Sequence, residues 1–278
     1  RRAAATSARR GPDESRGSQD AVPIRSSIAT LIRDIATAVL PNDFRQRLRA
    51  VQRKFKLQSV PVGSVDFGGL RRLSPISPIF GIDRDLISVE RHYIEAFLTK
   101  NAADIRGRVL EMGDPSYTVK FGGDRVTQSD VLHYVEGNPE ATIVADLTTA
   151  ENIPDDSFDC IIITQTLQMI YEIQAAIHNL HRILKPGGVV LATSHGITRV
   201  ARREGVDDWG EYWHFTSQSS RHLFRNSFDA AKVEVTTYGN VLSTIGSLHG
   251  LAASELEPHE LEHNDPNYEL LVMVRAQK

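Results

Sequence analysis

The chain has 278 residues, of which 41% are hydrophobic and 24% charged, and its formal net charge is −3 at pH 7. This composition supplies enough apolar material for a sizeable core, and the charge excludes a general attraction to nucleic acid or acidic membranes. The single cysteine, Cys160, excludes an internal disulfide framework. No apolar run is long enough to span a bilayer, so no membrane span is expected. Together with the net charge and the single cysteine, this favours a cytoplasmic protein with no nucleic-acid partner.

The N-terminal part of the chain is predicted to lie outside the main domain. Residues 1–27 are rich in Arg, Ala and Ser without apolar periodicity, which favours a disordered leader over an organellar transit peptide because acidic residues interrupt it. Residues 28–84 are predicted to form a helical appendage and a linker, since apolar residues at helical spacing give way to a stretch rich in Pro, Gly and Ser. The predicted helix at 44–56 has one basic face, which either docks an anionic partner or is simply solvated.

Residues 85–278 are predicted to form an α/β domain. A helix is expected from 85 to 100, with Val89, Tyr93 and Phe97 on its buried side. Apolar runs then predict strands at 108–112, 141–145, 158–164 and 189–193, and the segment RVTQS at 125–129 is predicted to be the second strand. A further strand, helix and strand are expected at 232–238, 241–256 and 268–276. Strands that alternate with helices at this spacing predict a doubly wound, mostly parallel sheet with helices on both faces.

The sequence RVLEMGDPSY at 108–117 carries the first functional motif. Its apolar strand reaches Glu111, and Gly113 follows almost at once, which is how a nucleotide-binding α/β unit begins. Pro115 stands where such a motif has its second glycine. Because proline has no N–H, this loop is not expected to form the usual glycine cradle.

Three further motifs follow in order along the chain. They are Asp130 after the predicted second strand, Asp146 with Leu147 after the third, and LKPGG at 184–188 before the fifth. Together with the first motif, this series resembles that of class I S-adenosylmethionine-dependent methyltransferases, and more narrowly the type 11-like domains found beside bacterial glycosyltransferases. The resemblance implies a Rossmann-like sheet of about seven strands with the last inserted antiparallel, and S-adenosylmethionine as the cofactor.

The resemblance also implies a set of cofactor-binding residues, because ligands of open α/β sheets bind at the carboxyl ends of the strands. Asp130 is expected to accept hydrogen bonds from the ribose hydroxyls, and Asp146 from the adenine amino group. Alternatively, either aspartate only caps the turn that follows it. The predicted set is Glu111, Gly113, Asp130, Asp146, Leu147, Gln165 and Tyr93.

Methyl transfer to a hydroxyl needs a base, and two histidines are candidates. His195, directly after the predicted fifth strand, is the preferred one and His214 the second. The aromatic sequence WGEYWHFT at 209–216 resembles a segment that follows the fifth strand in the bacterial methyltransferases found beside glycosyltransferases. The resemblance implies a substrate wall or lid, with Trp209, Tyr212, Trp213 and His214 as acceptor-binding residues. The alternative is that these aromatic residues form part of the core. No metal is predicted, because the other histidines lack zinc-site spacing.

The sequence therefore predicts S-adenosylmethionine-dependent O-methylation of a small-molecule, sugar or glycan acceptor, such as a glycan or secondary-metabolite intermediate. One alternative is a non-catalytic scaffold or partner domain that has lost the cofactor through the altered loop at Pro115. Another is a dinucleotide-dependent oxidoreductase, against which the missing G-x-G-x-x-G counts. The sequence leaves open a homodimer or a glycosyltransferase partner.

Overall fold

The computed structural model describes residues 47, 51, 66–81, 83–85, 87–200 and 210–278. The chain divides into two compact units, 1–69 and 70–278, and the second contains the features described below. The predicted leader at 1–27 lies outside the described residues, as do residues 28–46 of the predicted helical appendage. Of the predicted basic helix at 44–56, only Arg47 and Val51 are described, and both are helical.

Within the described part of the chain, seven strands form one sheet in the order β3-β2-β1-β4-β5-β7-β6. Strands β1 to β5 run parallel, and β7 lies antiparallel between β5 and β6. This confirms the predicted doubly wound fold with an antiparallel last strand. The strands are β1 (Gly107–Met112), β2 (Val126–His133), β3 (Ile143–Val144), β4 (Phe158–Thr164), β5 (Leu184–His195), β6 (Val233–Tyr238) and β7 (Leu271–Gln277).

Helices cover both faces of the sheet. They are α1 (Val89–Lys100), α2 (Ile173–Ile183), α3 (Ser217–Arg225), α4 (Val241–His249) and α5 (Pro258–Glu262). The helix predicted at 241–256 ends early because Gly250 adopts the left-handed conformation, with φ 68°. A β-carbon at Gly250 would also approach the carbonyl oxygen of Ser77 too closely, so glycine is required there.

The core consists of two apolar layers, one on each side of the sheet. In β4, Phe158, Ile161 and Ile163 face the layer that contains α2 and α3, whereas Cys160 and Ile162 face the layer that contains α1. All five side chains are fully buried. A parallel strand covered on both faces needs a continuous apolar run, which is why this strand is predictable from sequence.

The predicted end of the second strand is wrong, because β2 continues three residues beyond Asp130 to His133. Asp130 lies beside Leu110 in the register of β1 and β2. Its buried carboxylate accepts hydrogen bonds from Arg108 Nε at 2.7 Å and Thr142 Oγ1 at 3.1 Å. A charged residue is tolerated inside the strand because a neighbouring strand supplies its counter-charge.

Replacing Asp130 with Ala should therefore lower the free energy of unfolding by about 1–3 kcal/mol, since Arg108 and Thr142 lose their shared acceptor. Urea denaturation measures this change. Asp124→Ala is the matched control, because Asp124 is exposed in the turn before β2 and its loss should change stability by no more than about 0.5 kcal/mol. Equal stability of the two variants would show that the pair with Arg108 is not stabilising.

Cys160 should be unreactive in the native protein. Burial raises the pKa of its thiol well above the usual range, and the side chain has no exposed surface. A chromogenic disulfide reagent should therefore label the protein only in denaturant, and the single cysteine makes the signal unambiguous. Rapid labelling without denaturant would mean that β4 is accessible and that the described core is wrong.

Candidate active site

A cavity of about 550 Å³ lies at the carboxyl ends of β1 to β4. Each strand contributes a residue at or just beyond its end: Gly113, His133, Asp146 and Thr166. Tyr171 and Tyr212 form part of the opposite wall. The strand order reverses between β1 and β4, and a ligand in an open α/β sheet binds at such a reversal. The cavity is therefore where the fold itself predicts a binding site.

The turn after β1 is held by a buried carboxylate. Glu111 accepts hydrogen bonds from the N–H groups of Tyr117 at 3.0 Å and Thr118 at 2.7 Å. Burial raises the pKa of Glu111, and these hydrogen bonds offset part of that rise. Glu111 therefore lies beneath the turn and shapes it, while Gly113, with φ 87°, lines the cavity and has open space where a side chain would stand.

The backbone of this turn has little capacity left for a phosphate group. The N–H of Gly113 donates to Leu132 O at 3.0 Å and that of Ser116 to Asp114 Oδ1 at 2.8 Å. Pro115 has no N–H, and the N–H groups of Tyr117 and Thr118 are bonded to Glu111. Phosphate cradles require N–H groups that point at the ligand. The turn therefore suits a nucleoside ligand without a pyrophosphate and is unsuited to a dinucleotide.

Asp146 and Leu147 line the same cavity. Asp146 Oδ1 accepts both the N–H and the hydroxyl of Thr148, each at 2.8 Å, and so holds the turn after β3. Within the described ranges Oδ2 has no such partner, so it is available to a ligand. Asn179 Nδ2 donates to the carbonyl of Leu147 at 3.0 Å, which fixes the backbone beside it.

Two other predicted cofactor residues lie away from the cavity. Tyr93 is buried in the core, where its ring stacks on Tyr238 at 5.4 Å and its hydroxyl donates to Leu261 O at 3.0 Å. Tyr93 does not line this cavity, because α1 turns the side chain towards the sheet. Asp130 is likewise held within the sheet by Arg108, and the end of β2 brings His133 and Tyr134 to the cavity in its place.

Gln165 lies directly after β4 but turns away from the cavity lining. Its backbone adopts φ 48°, and its side chain donates to Thr193 Oγ1 at 3.1 Å. It also accepts a hydrogen bond from Gln168 at 3.1 Å. Thr166, the next residue, lines the cavity instead. Gln165 is thus part of a polar network between the ends of β4 and β5.

The two predicted histidines meet at one carboxylate. His195 Nδ1 lies 3.3 Å from Glu211 Oε1, and His214 Nε2 lies 3.2 Å from the same oxygen. The side chains of His195 and Glu211 are buried, and Gln168 Nε2 lies 3.4 Å from His195 Nδ1. Glu211 stands between Gly210 and Tyr212, which both line the cavity, so this cluster adjoins it.

The aromatic segment docks on the residues that follow β4. The N–H of Tyr212 donates to Gln168 O at 2.8 Å, and Trp213 Nε1 donates to Ile170 O at 3.0 Å. The ring of Tyr171 packs edge-on against Tyr212 and stacks on Trp213. The exposed fractions of Tyr171, Tyr212 and Trp213 are 62%, 54% and 38%, so they form an exposed aromatic surface rather than part of the core. Tyr171 and Tyr212 line the cavity, and Trp213 stacks beside them on Tyr171.

The predicted acceptor residue Trp209 lies outside the described residues. Among those described, no group of three or more His, Cys, Asp or Glu side chains could hold a metal ion. No helix in the described ranges is long and apolar enough to cross a membrane.

Sequence reasoning missed Glu211, Tyr171 and the residues at the end of β2. The apolar pair Val131 and Leu132 signals that the strand continues, and extending it would have brought His133 to the cavity. Glu211 precedes His214 by three residues within the aromatic segment, but only the fold brings His195 to the same carboxylate.

The chain is similar to known methyltransferases. Residues 124–192 match the family described as "Methyltransferase domain". The ubiquinone/menaquinone biosynthesis C-methyltransferase of Enterobacter sp. (strain 638) is 24% identical over 212 residues, which cover 67% of this chain and 76% of that protein. The corresponding enzyme of Citrobacter koseri is 28% identical over 129 residues, so the chain spans under half of that relative: 46% of this chain and 45% of that protein are covered.

Solved methyltransferase structures are also similar to this chain. A SAM-dependent methyltransferase from Archaeoglobus fulgidus aligns with a TM-score of 0.45 at 11% identity, over 68% of this chain and 94% of that one. An S-adenosylmethionine-dependent methyltransferase from Mesorhizobium loti aligns with a TM-score of 0.44 at 17% identity, over 71% of this chain and all of that one (100%).

The cavity fits S-adenosylmethionine by its own chemistry. Its volume of about 550 Å³ is in the range of cofactor sites, and Asp146 presents a carboxylate oxygen to it. In the turn after β1, the N–H groups of Ser116, Tyr117 and Thr118 are hydrogen-bonded to nearby carboxylates. A cofactor without phosphate does not need these donors. The sheet order is that of the Rossmann-like class I methyltransferase fold, and residues 124–192 within it match the methyltransferase-domain family.

Proposed function

We propose that the protein methylates a hydroxyl group of a small-molecule acceptor of the sugar or glycan class. The observation that carries this proposal is the exposed aromatic surface of Tyr171, Tyr212 and Trp213 beside the cavity. Aromatic faces pack well against the apolar faces of sugar rings, and Tyr and Trp offer polar atoms at their edges. A candidate base, His195, lies close to this surface through Glu211.

For the cofactor, we propose that Asp146 Oδ2 accepts a hydrogen bond from the adenine amino group. Leu147 and Leu132 line the cavity and would pack against the adenine ring. Gly113 would let the backbone approach the ligand, since a side chain there would project into the cavity region. His133, at the end of β2, occupies the position at which the ribose is expected in this fold.

When bound, S-adenosylmethionine supplies a methyl group on a positively charged sulfur, and transfer replaces that carbon–sulfur bond by a carbon–oxygen bond. His195 would accept the hydroxyl proton at Nε2, a nitrogen for which the described part of the chain offers no partner. The aromatic surface would hold the acceptor ring in one orientation, which an in-line displacement requires.

A second candidate reaction is methylation of a ring carbon. The names of the Enterobacter and Citrobacter relatives favour it, because both are C-methyltransferases of quinone biosynthesis. An aromatic acceptor would stack on Tyr171 and Trp213 as readily as a sugar. The two reactions are therefore distinguished by which acceptor is methylated, a sugar hydroxyl or a carbon of an aromatic ring.

The direct test is transfer of tritiated methyl groups from S-adenosylmethionine to defined acceptors. One set contains methyl glycosides and nucleotide sugars, and the other contains phenols and hydroquinones. Labelled, alkali-stable methyl ethers on the sugars would support the proposal. Label confined to ring carbons of the hydroquinones would replace it with C-methylation.

Replacing Trp213 with Ala should raise the KM for the accepted sugar about 2- to 10-fold, because one stacking face is lost. Trp213→Phe is the matched control, since it keeps an aromatic face and should retain most of the affinity. Steady-state kinetics measure both variants. An unchanged KM in Trp213→Ala would remove this surface from acceptor binding.

Replacing Asp146 with Asn should weaken S-adenosylmethionine binding roughly 10-fold. Asparagine retains an oxygen for Thr148 but presents an NH₂ group, which cannot accept from the adenine amino group. Equilibrium dialysis with labelled cofactor measures the change, and Asp124→Asn is an exposed control. Wild-type affinity in Asp146→Asn would show that this carboxylate does not bind the cofactor.

A further inference from the structure

Glu211 connects two histidines through a single oxygen, and the hydrogen bonds around it restrict where protons can lie. His214 Nδ1 is 3.0 Å from the carbonyl oxygen of Gly196. A carbonyl oxygen only accepts, so Nδ1 must carry hydrogen. His214 Nε2 is 3.2 Å from the same Glu211 oxygen that His195 approaches, so this carboxylate lies between the two rings.

The same reasoning applies to His195. Its Nδ1 lies 3.3 Å from Glu211 Oε1, and an ionised carboxylate only accepts hydrogen bonds. In neutral His195 the proton is then on Nδ1, and Nε2 carries the lone pair. This is the tautomer that a base acting through Nε2 requires.

Gln168 competes for the same nitrogen. Its amide Nε2 lies 3.4 Å from His195 Nδ1 and can only donate to it. If Glu211 were absent, Gln168 would select the opposite tautomer, with hydrogen on Nε2. The shorter approach of Glu211 and its charge favour the carboxylate over the amide.

We propose that Glu211 is a positioning residue that holds His195 with its proton on Nδ1. This inference rests on the proposed function, in which His195 is the base. Glu211 also belongs to the segment that carries Tyr212 and Trp213, and this segment docks on the backbone of Gln168. The acceptor surface and the orientation of the base are thereby set by one short stretch of chain.

The test that does not depend on turnover is nitrogen NMR of the histidine rings in the complex with S-adenosylhomocysteine. The His195 signals are assigned by their loss in His195→Asn. Wild-type protein should show His195 protonated at Nδ1, and Glu211→Ala should shift the proton to Nε2. A wild-type His195 protonated at Nε2, or a proton that stays on Nδ1 in the alanine variant, would overturn the inference.

Kinetics supply the second readout. With the accepted sugar, Glu211→Ala should lower kcat about 100-fold, while the KM for S-adenosylmethionine stays near the wild-type value. Glu262→Ala, an exposed residue at the end of α5, is the control and should retain wild-type kcat. A wild-type kcat in Glu211→Ala would overturn the positioning role.

Glu211→Gln keeps the side-chain shape and serves if the alanine variant does not bind S-adenosylhomocysteine. Its uncharged amide oxygen is a weaker acceptor than the carboxylate, and its NH₂ group can donate to His195 Nδ1, so the fraction of His195 protonated at Nε2 should rise above that of the wild type. An unchanged fraction would count against the inference. If the tautomers behave as expected but no sugar is methylated, the proposed acceptor fails and the positioning role of Glu211 stands.

Discussion

The burial of the central strands on both faces is the constraint on which the structure depends. In β4 and β5 the side chains alternate between two apolar layers, so the middle of the sheet leaves no room for an unpaired polar group. Asp130 lies within β2 only because Arg108 pairs with it. Polar groups that must meet a ligand are thereby confined to the strand ends, where the cavity and the histidine cluster lie.

The turn after β1 shows how the fold tolerates Pro115 at the mouth of a cofactor site. Glu111 binds two backbone N–H groups and Asp114 a third, so the turn is satisfied without a ligand. A phosphate would find few donors, but S-adenosylmethionine has no phosphate to place there. Pro115 in place of the usual glycine is therefore no evidence that the protein is a non-catalytic scaffold that has lost its cofactor.

The sequence suffices for features that depend on local chain geometry. The apolar run of β4, the turn at Gly113 and the position of Asp146 after β3 follow from periodicity and turn chemistry. The sequence does not reveal which residues pair over long distances along the chain. Nothing near Asp130 signals the ion pair with Arg108, and nothing near Glu211 signals that β5 brings His195 to it.

The central claim is that the cavity at the ends of β1 to β4 binds S-adenosylmethionine. Calorimetric titration of the protein with S-adenosylmethionine, S-adenosylhomocysteine and NAD tests it most directly. We expect micromolar binding of the first two and no binding of NAD, because the turn after β1 offers few N–H donors to a pyrophosphate. Binding of NAD alone, or of none of the three, would contradict it.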